Sequence, residues 1–174
     1  MSDIPPNTPE ALVAAVLKRL KTEFDDLTVA PYPDRPESYQ LKHPTGVLLV
    51  RYTDSRYGPS LDTRVVQERR MALEVTLYLR ALRGDGGVDT VLERLRLNLT
   101  GYAPDGFDKL RPLRDGFVDE NNGLWRYAMD FETGTTVIEG IEAFEEDGTP
   151  RAVKVTLRDA DGQVLREITG DDAQ

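Results

Sequence analysis

Between Met71 and Arg80 every second residue is apolar: Met71, Leu73, Val75, Leu77 and Leu79 alternate with Ala72, Glu74, Thr76, Tyr78 and Arg80. A strand points successive side chains to opposite faces, so this period of two specifies a long strand, read from Val65 to Leu82, with one dry face. A dry face has to be covered by a second layer, and only segments with a matching apolar stripe can supply it. Two do. In the first, Leu12, Val13, Val16, Leu17 and Leu20 recur at the spacing of one helical face, with Lys18, Arg19 and Lys21 outside. Thr8 is placed as N-cap, Pro9 suits the first helical position because its missing N–H is not needed there, and Glu10 meets the positive end of the dipole. This predicts a helix from Pro9 to Phe24. In the second, Val88, Val91, Leu92, Leu95 and Leu99 share a face, and Gly101 is placed to stop the helix.

Further strands complete the sheet. Pro31, Pro33, Pro36 and Pro44 make an irregular arm of residues 27–46 after a short strand near Thr28 to Ala30. The continuous run Val47-Leu48-Leu49-Val50 suits an inner strand covered on both faces. A loop is expected from Asp54 to Asp62 around Gly58-Pro59, and a turn-rich stretch from Ala103 to Gly116. Asn122-Gly123 is a hairpin turn signal that pairs Phe117 to Glu120 with Leu124 to Phe131, whose Trp125, Tyr127, Met129 and Phe131 lie on one side. Thr135 to Phe144 reads as a further strand. In the last thirty or so residues Val153, Val155 and Leu157 alternate, Asp161-Gly162 turns, and Val164 to Ile168 returns, ending in an acidic Gly170-Asp171-Asp172 tail. The expected architecture is α+β: a mostly antiparallel twisted sheet with two amphipathic helices on one face, plus a C-terminal β-hairpin. The expected division is residues 1–147 for the main domain and 148–174 for the hairpin and tail.

The same residues exclude several chemistries. The chain has no cysteine and a single histidine, His43, in 174 residues. Disulfides, thiol catalysis and thiolate metal sites are out, and a zinc site would have to be almost wholly carboxylate. No run approaches the roughly 20 apolar residues of a membrane span. The first 30 residues show no export signal, so an intracellular product is expected. His43, between Lys42 and Pro44, has no nucleophile or orienting acid beside it in sequence and reads as a loop histidine. Gly84-Asp85-Gly86-Gly87 stands where a phosphate cradle would, but lacks the six-residue glycine spacing and the Lys-Ser/Thr pair, and reads as a strand-to-helix turn. Asp159-Ala160-Asp161-Gly162 brings its glycine too early for a calcium loop, and the sequon Asn98-Leu99-Thr100 falls on a helix's buried side. Acid pairs at Asp25-Asp26, Asp119-Glu120 and Glu145-Glu146-Asp147 sit at element ends, where solvated carboxylates are ordinary. No catalytic, cofactor-binding or metal residue is predicted, and no enzyme.

Charge and aromatic content point to contacts with other proteins. Residues 1–100 carry 14 basic and 14 acidic side chains, while residues 101–174 carry 8 basic and 17 acidic, so the net charge of -9 lies in the C-terminal part. Such a surface repels phosphate backbones. Arg51, Arg56, Arg64, Arg69 and Arg70, with Tyr32, Tyr39, Tyr52, Tyr57 and Tyr78, surround the central strands. Arg and Tyr are enriched at interface centres, though side chains snorkelling over a sheet give the same composition.

The linear pattern resembles a known family. The first helix followed by Val29-Ala30-Pro31-Tyr32-Pro33-Asp34, then residues 43–52 from His43-Pro44-Thr45-Gly46 to Val50-Arg51-Tyr52, then Leu79-Arg80-Ala81-Leu82-Arg83-Gly84, is similar to Mu-like phage tail terminator, or tail completion, proteins. Phe117-Val118-Asp119-Glu120 and Leu124-Trp125-Arg126-Tyr127 resemble that family's second half, and the likeness covers Ile4 to Glu139. The resemblance implies a structural virion protein at the tail–neck junction of a long contractile tail, assembled in the host cytoplasm. Its copies would form a ring, expected to be hexameric, that caps the tail tube, stops its polymerisation and joins it to the head–neck connector. Implied partners are further copies of the chain, the tube protein, the sheath and the connector; DNA would pass through the channel without specific binding, and no membrane is involved. Another small tail, neck or baseplate component is the alternative, followed by a ligand-binding domain or a carboxylate-based enzyme. If the ring surrounds DNA, lumenal acids such as Glu142, Glu145 and Glu146 would keep the duplex from sticking.

Overall fold

A computed structural model of the chain describes residues 7–35, 44–60 and 65–139 in full, and the backbone of 155–158 and 164–168. The elements are α1 (Pro9–Glu23), β1 (Thr28–Pro31), β2 (Gly46–Tyr57), β3 (Val66–Leu79), α2 (Val88–Leu99), β4 (Arg111–Asn121), β5 (Leu124–Ile138), β6 (Val155–Arg158) and β7 (Val164–Ile168). The fold is α+β. Both helices start and stop where local chemistry dictates. The Thr8 hydroxyl accepts the Ala11 amide at 3.2 Å ahead of Pro9, and Phe24 caps the other end through its amide to the Leu20 carbonyl. Helix α2 leaves the strand-to-helix turn at Gly87 and ends at Thr100, with Gly101 at φ 81° just beyond.

Five strands form one sheet in the order β1-β2-β3-β5-β4. Only β1 and β2 run parallel; every other neighbouring pair is antiparallel. Met71, Leu73, Val75, Leu77 and Leu79 of β3, Leu48 and Val50 of β2, and Met129 and Phe131 of β5 face one way, into a core shared with Leu12, Val16 and Leu20 of α1 and with Val88, Val91, Leu95 and Leu99 of α2. Each of these large side chains is essentially removed from water, worth about 1.5–3 kcal/mol apiece before conformational entropy is set against it. Val47 and Leu49, on the opposite face of β2, are buried as well, as the unbroken apolar run anticipates. The turn Asn122-Gly123, with φ of 52° and 75°, joins β4 to β5.

Strands β2, β4 and β5 run longer than the residue pattern suggests. Residues 54–57, expected in a loop, continue β2 past an irregularity after Tyr52 and pair down to Tyr57 with Arg69. Arg111 to Gly116, expected in turns, belongs to β4, where an edge position tolerates Pro112 and asks for no alternation because nearly every residue is exposed. Thr135 does not begin a new strand: β5 runs unbroken from Leu124 to Ile138, stitched to the loop before β4 at Glu132-Thr133-Gly134. There the Thr133 hydroxyl donates to the Asp108 carbonyl at 2.7 Å and the Asp108 amide to the Gly134 carbonyl at 2.9 Å. Strand β3 stops at Leu79, three residues short of the expected end; residues 140–144 lie outside the described part.

The chain divides into two compact units, Met1–Glu139 and Gly140–Gln174. The second contains an antiparallel pair, β6 with β7, in register from Val155 opposite Ile168 to Arg158 opposite Val164. No described helix is long and apolar enough to cross a membrane.

Candidate functional site

Opposite the helices, the sheet carries charge in rows across four strands. One row reads Arg51, Glu74, Asp130, Arg114 from β2 through β3 and β5 to β4, each residue in register with the next. Arg51 reaches Glu74 at 3.0 Å, the Thr76 hydroxyl donates to the same carboxylate at 2.7 Å, and Arg114 Nε meets Asp130 at 2.5 Å. The two central acids therefore sit side by side, each drawn outward by its own arginine. A second cluster centres on Glu132, only 5% exposed, which receives Arg111 at 2.5 Å and Arg70 at 3.5 Å. At the hairpin end Arg126 grips Asp119, donates to the Tyr78 hydroxyl at 3.2 Å and lies 5.7 Å over the Tyr78 ring. The Arg51 guanidinium lies 4.7 Å over Tyr32, whose phenol is pushed above its ordinary pKa by burial and by the neighbouring Tyr78. Hydrogen bonds to their acid or phenol partners raise Arg51, Arg114 and Arg126 further into the charged range. Where they meet water such pairs contribute little each to stability, but they hold long side chains in fixed positions over the sheet.

The sequence candidates separate against this geometry. Arg51, Arg69 and Arg70 and Tyr32, Tyr57 and Tyr78 belong to pairs made within the chain; Arg69 lies 5.6 Å over Tyr57. Arg64, Tyr39, His43, the Asp159–Gly162 segment and Glu142, Glu145 and Glu146 lie outside the described residues. Gly84 and Gly86, at φ 85° and 82°, make a tight strand-to-helix turn closed by the Gly87 amide on the Gly84 carbonyl at 2.9 Å. Asp26 is held by both guanidinium nitrogens of Arg94 at 2.9 and 3.0 Å. Asp119 is Arg126's partner, and Glu120 accepts the Gly123 amide at 2.6 Å. The acids of 101–139 thus interleave with arginines from both halves of the chain, so the charge asymmetry along the sequence does not divide this unit into a basic and an acidic face.

Two surface features escaped the residue pattern. The first is a groove of about 420 Å³ between α1 and the β1 edge, lined mainly by apolar groups of Pro9, Val13, Ala14, Leu17, Pro31 and Val50, with Arg51 at its border. The parallel ladder of β1 ends where the Tyr32 amide meets the Val50 carbonyl at 2.8 Å, so among the described residues no strand pairs with the outer edge of β2 from Arg51 to Tyr57. The second is the outer edge of β4, at the other end of the sheet. Its ladder with β5 skips Leu113 and Val118, and both are exposed, at 43% and 46%. Beside Val118, Phe117 is 56% exposed and edge-on to Tyr127 at 5.5 Å. The signal was there, since Leu113 and Val118 are apolar residues in segments without periodicity, but only the ladder shows that they are the bulged positions.

No curated protein matches the chain. A family model described as Gp37 protein matches residues 16–159, which takes in the second half of α1, the whole five-stranded sheet, α2 and β6. A match of that extent, over a fold with the expected layers, settles kinship: the chain belongs to the Gp37 protein family, a family of phage proteins.

Proposed function

We propose that this phage protein is a structural, non-catalytic component of the virion: a tail terminator whose copies close into a ring, expected to be hexameric, at the end of the tail tube. The family match over residues 16–159 supports the virion part of the reading, and the terminator part rests on the resemblance of the linear pattern from Ile4 to Glu139. The sheet supports it. Glu74, Asp119, Asp130 and Glu132 are each held by an arginine, which suits a face that keeps its shape under contact better than one that moves protons. The two ends of the sheet also differ, an apolar groove at one and an apolar-studded edge at the other. A ring needs two unlike, complementary patches on every subunit.

In this reading the ring caps the tube, halts its growth and offers its other side to the head–neck connector, with DNA passing through unbound. Purified protein added to elongating tail tubes, followed by negative-stain microscopy and mass photometry, tests it. The expected result is capped tubes of arrested length and a multimeric cap. Tubes that grow on unchanged beside a monomeric protein overturn it, and labelled protein found only at the baseplate favours another tail component.

A further inference from the structure

We infer that the ring closes by seating the β4 edge of one copy in the α1–β1–β2 groove of the next. The inference rests on the ring reading above and names the contact within it. Bulges normally serve to blunt an edge strand or to re-aim a side chain. In β4 both bulges fall on large apolar residues, Leu113 and Val118, and leave them exposed on an edge with no pairing strand among the described residues. An edge guarded against association would carry lysine or a charge at such positions. The complementary surface lies at the far end of the same sheet: an apolar groove next to a stretch of β2 edge, Arg51 to Tyr57, that β1 stops short of.

Of the charges beside the two patches, Asp119 is held by Arg126, Glu120 accepts the Gly123 amide and Arg51 meets Glu74, while exposed Asp115 on β4 and Arg56 on β2, 72% exposed and 3.8 Å from Asp54, are opposite in sign. Because the two patches are different parts of one chain, the contact is heterologous and propagates from copy to copy, as a closed ring requires. A β4–β4 contact would be isologous and would stop at a dimer.

The absence of cysteine from the natural chain makes the test clean. Ala14 is an exposed residue on the groove wall, so Ala14→Cys and Val118→Cys leave the buried core untouched. Under mild oxidation the double variant is expected to give a ladder of multimers on a denaturing gel. A mixture of the two single variants should give dimers, and Val118→Cys alone no cross-link. Ala14→Arg, which fills the groove, and Leu113→Asp with Val118→Asp, which charges the edge, should each abolish rings when alone; mixed in equal amounts they should recover one contact and run as dimers, while circular dichroism shows both folded. Rings that form unchanged in both blocking variants, or Val118→Cys linking to itself, overturn this contact and leave the terminator reading standing. A wild-type chain that neither forms rings nor caps tubes overturns both.

Discussion

Gly46 opens β2 opposite Leu79, the last residue of β3, and the approach is too close for a side chain. A Cβ at this position would lie 2.4 Å from Leu79 Cδ2 and 2.5 Å from the Tyr78 carbonyl oxygen, against ordinary contacts near 3.4–4 Å. Leu79 is fully buried and the carbonyl belongs to the backbone of an inner strand, so neither can swing away. Gly46→Ala therefore forces the β2–β3 ladder apart at its end. Overpacking of this kind costs about 1–3 kcal/mol, and the reduced freedom of the unfolded chain returns about 0.4–1, which leaves a net loss of about 1.3 kcal/mol at the middle of both ranges. For a chain of this size that is a fall in Tm of about 3–5 °C. Urea unfolding followed through Trp125, the single tryptophan, which packs against the core, reads the loss directly as a lower midpoint at unchanged slope. Gly116 in β4 is the control: nothing lies within 4 Å of its Cβ position, so Gly116→Ala should be neutral or stabilising by up to about 1 kcal/mol. If Gly46→Ala melts at or above wild type, or both variants shift alike, the steric argument is wrong.

Leu73→Ala, which empties a fully buried site between the sheet and the helices, should cost about 3–5 kcal/mol in the same assay, and a loss under 1 would mean that the core collapses around the gap. Arg94→Ala removes the fork on Asp26, a hydrogen bond to the Glu23 carbonyl at 3.1 Å and the stacking 4.4 Å over Phe24; about 1 kcal/mol should be lost at low salt and visibly less near 1 M salt, as thermal melts at both salt levels will show. If the proposed ring surrounds the DNA path, reversing Glu142, Glu145 and Glu146 to Lys should slow genome ejection from normally assembled particles, measured by DNA release in bulk; unchanged ejection rejects a lumenal role for those acids.

The elements that answer to local rules were legible in the residues. Thr8, Pro9 and the stripe from Leu12 to Leu20 specify α1 without help from the rest of the fold, and the alternation from Met71 to Leu79 specifies the central strand and its dry face. The Asn122-Gly123 turn fixes the β4–β5 register at its start. What escaped were segments whose conformation is imposed by a neighbour. Asp54 to Tyr57 is polar and extends beyond the buried part of β2, yet β3 holds it as strand; Arg111 to Gly116 carries a proline and a glycine and is strand because β5 pairs with it. The candidate contact surfaces failed to show for the same reason: Ala14, Pro31 and Val50 meet only once α1 folds over the β1 edge. Arginine and tyrosine stood out by composition, but pairing within the chain, Arg51 with Glu74 and Arg126 with Tyr78, engages much of what looked available for partners.

The ladder between β3 and β5 runs without a bulge from Val66 opposite Ile138 to Leu79 opposite Trp125, whereas the ladder between β4 and β5 is broken twice. A pull directed along β3 loads all of the first ladder's hydrogen bonds in parallel, and they must shear together. The same pull on β4 meets short runs of bonds that open one after another, like a zip. The sheet is thus stiff along its middle and compliant at one margin. Under mechanical load the sheet would yield first where β4 lies, and a neighbour seated on that margin would stiffen it.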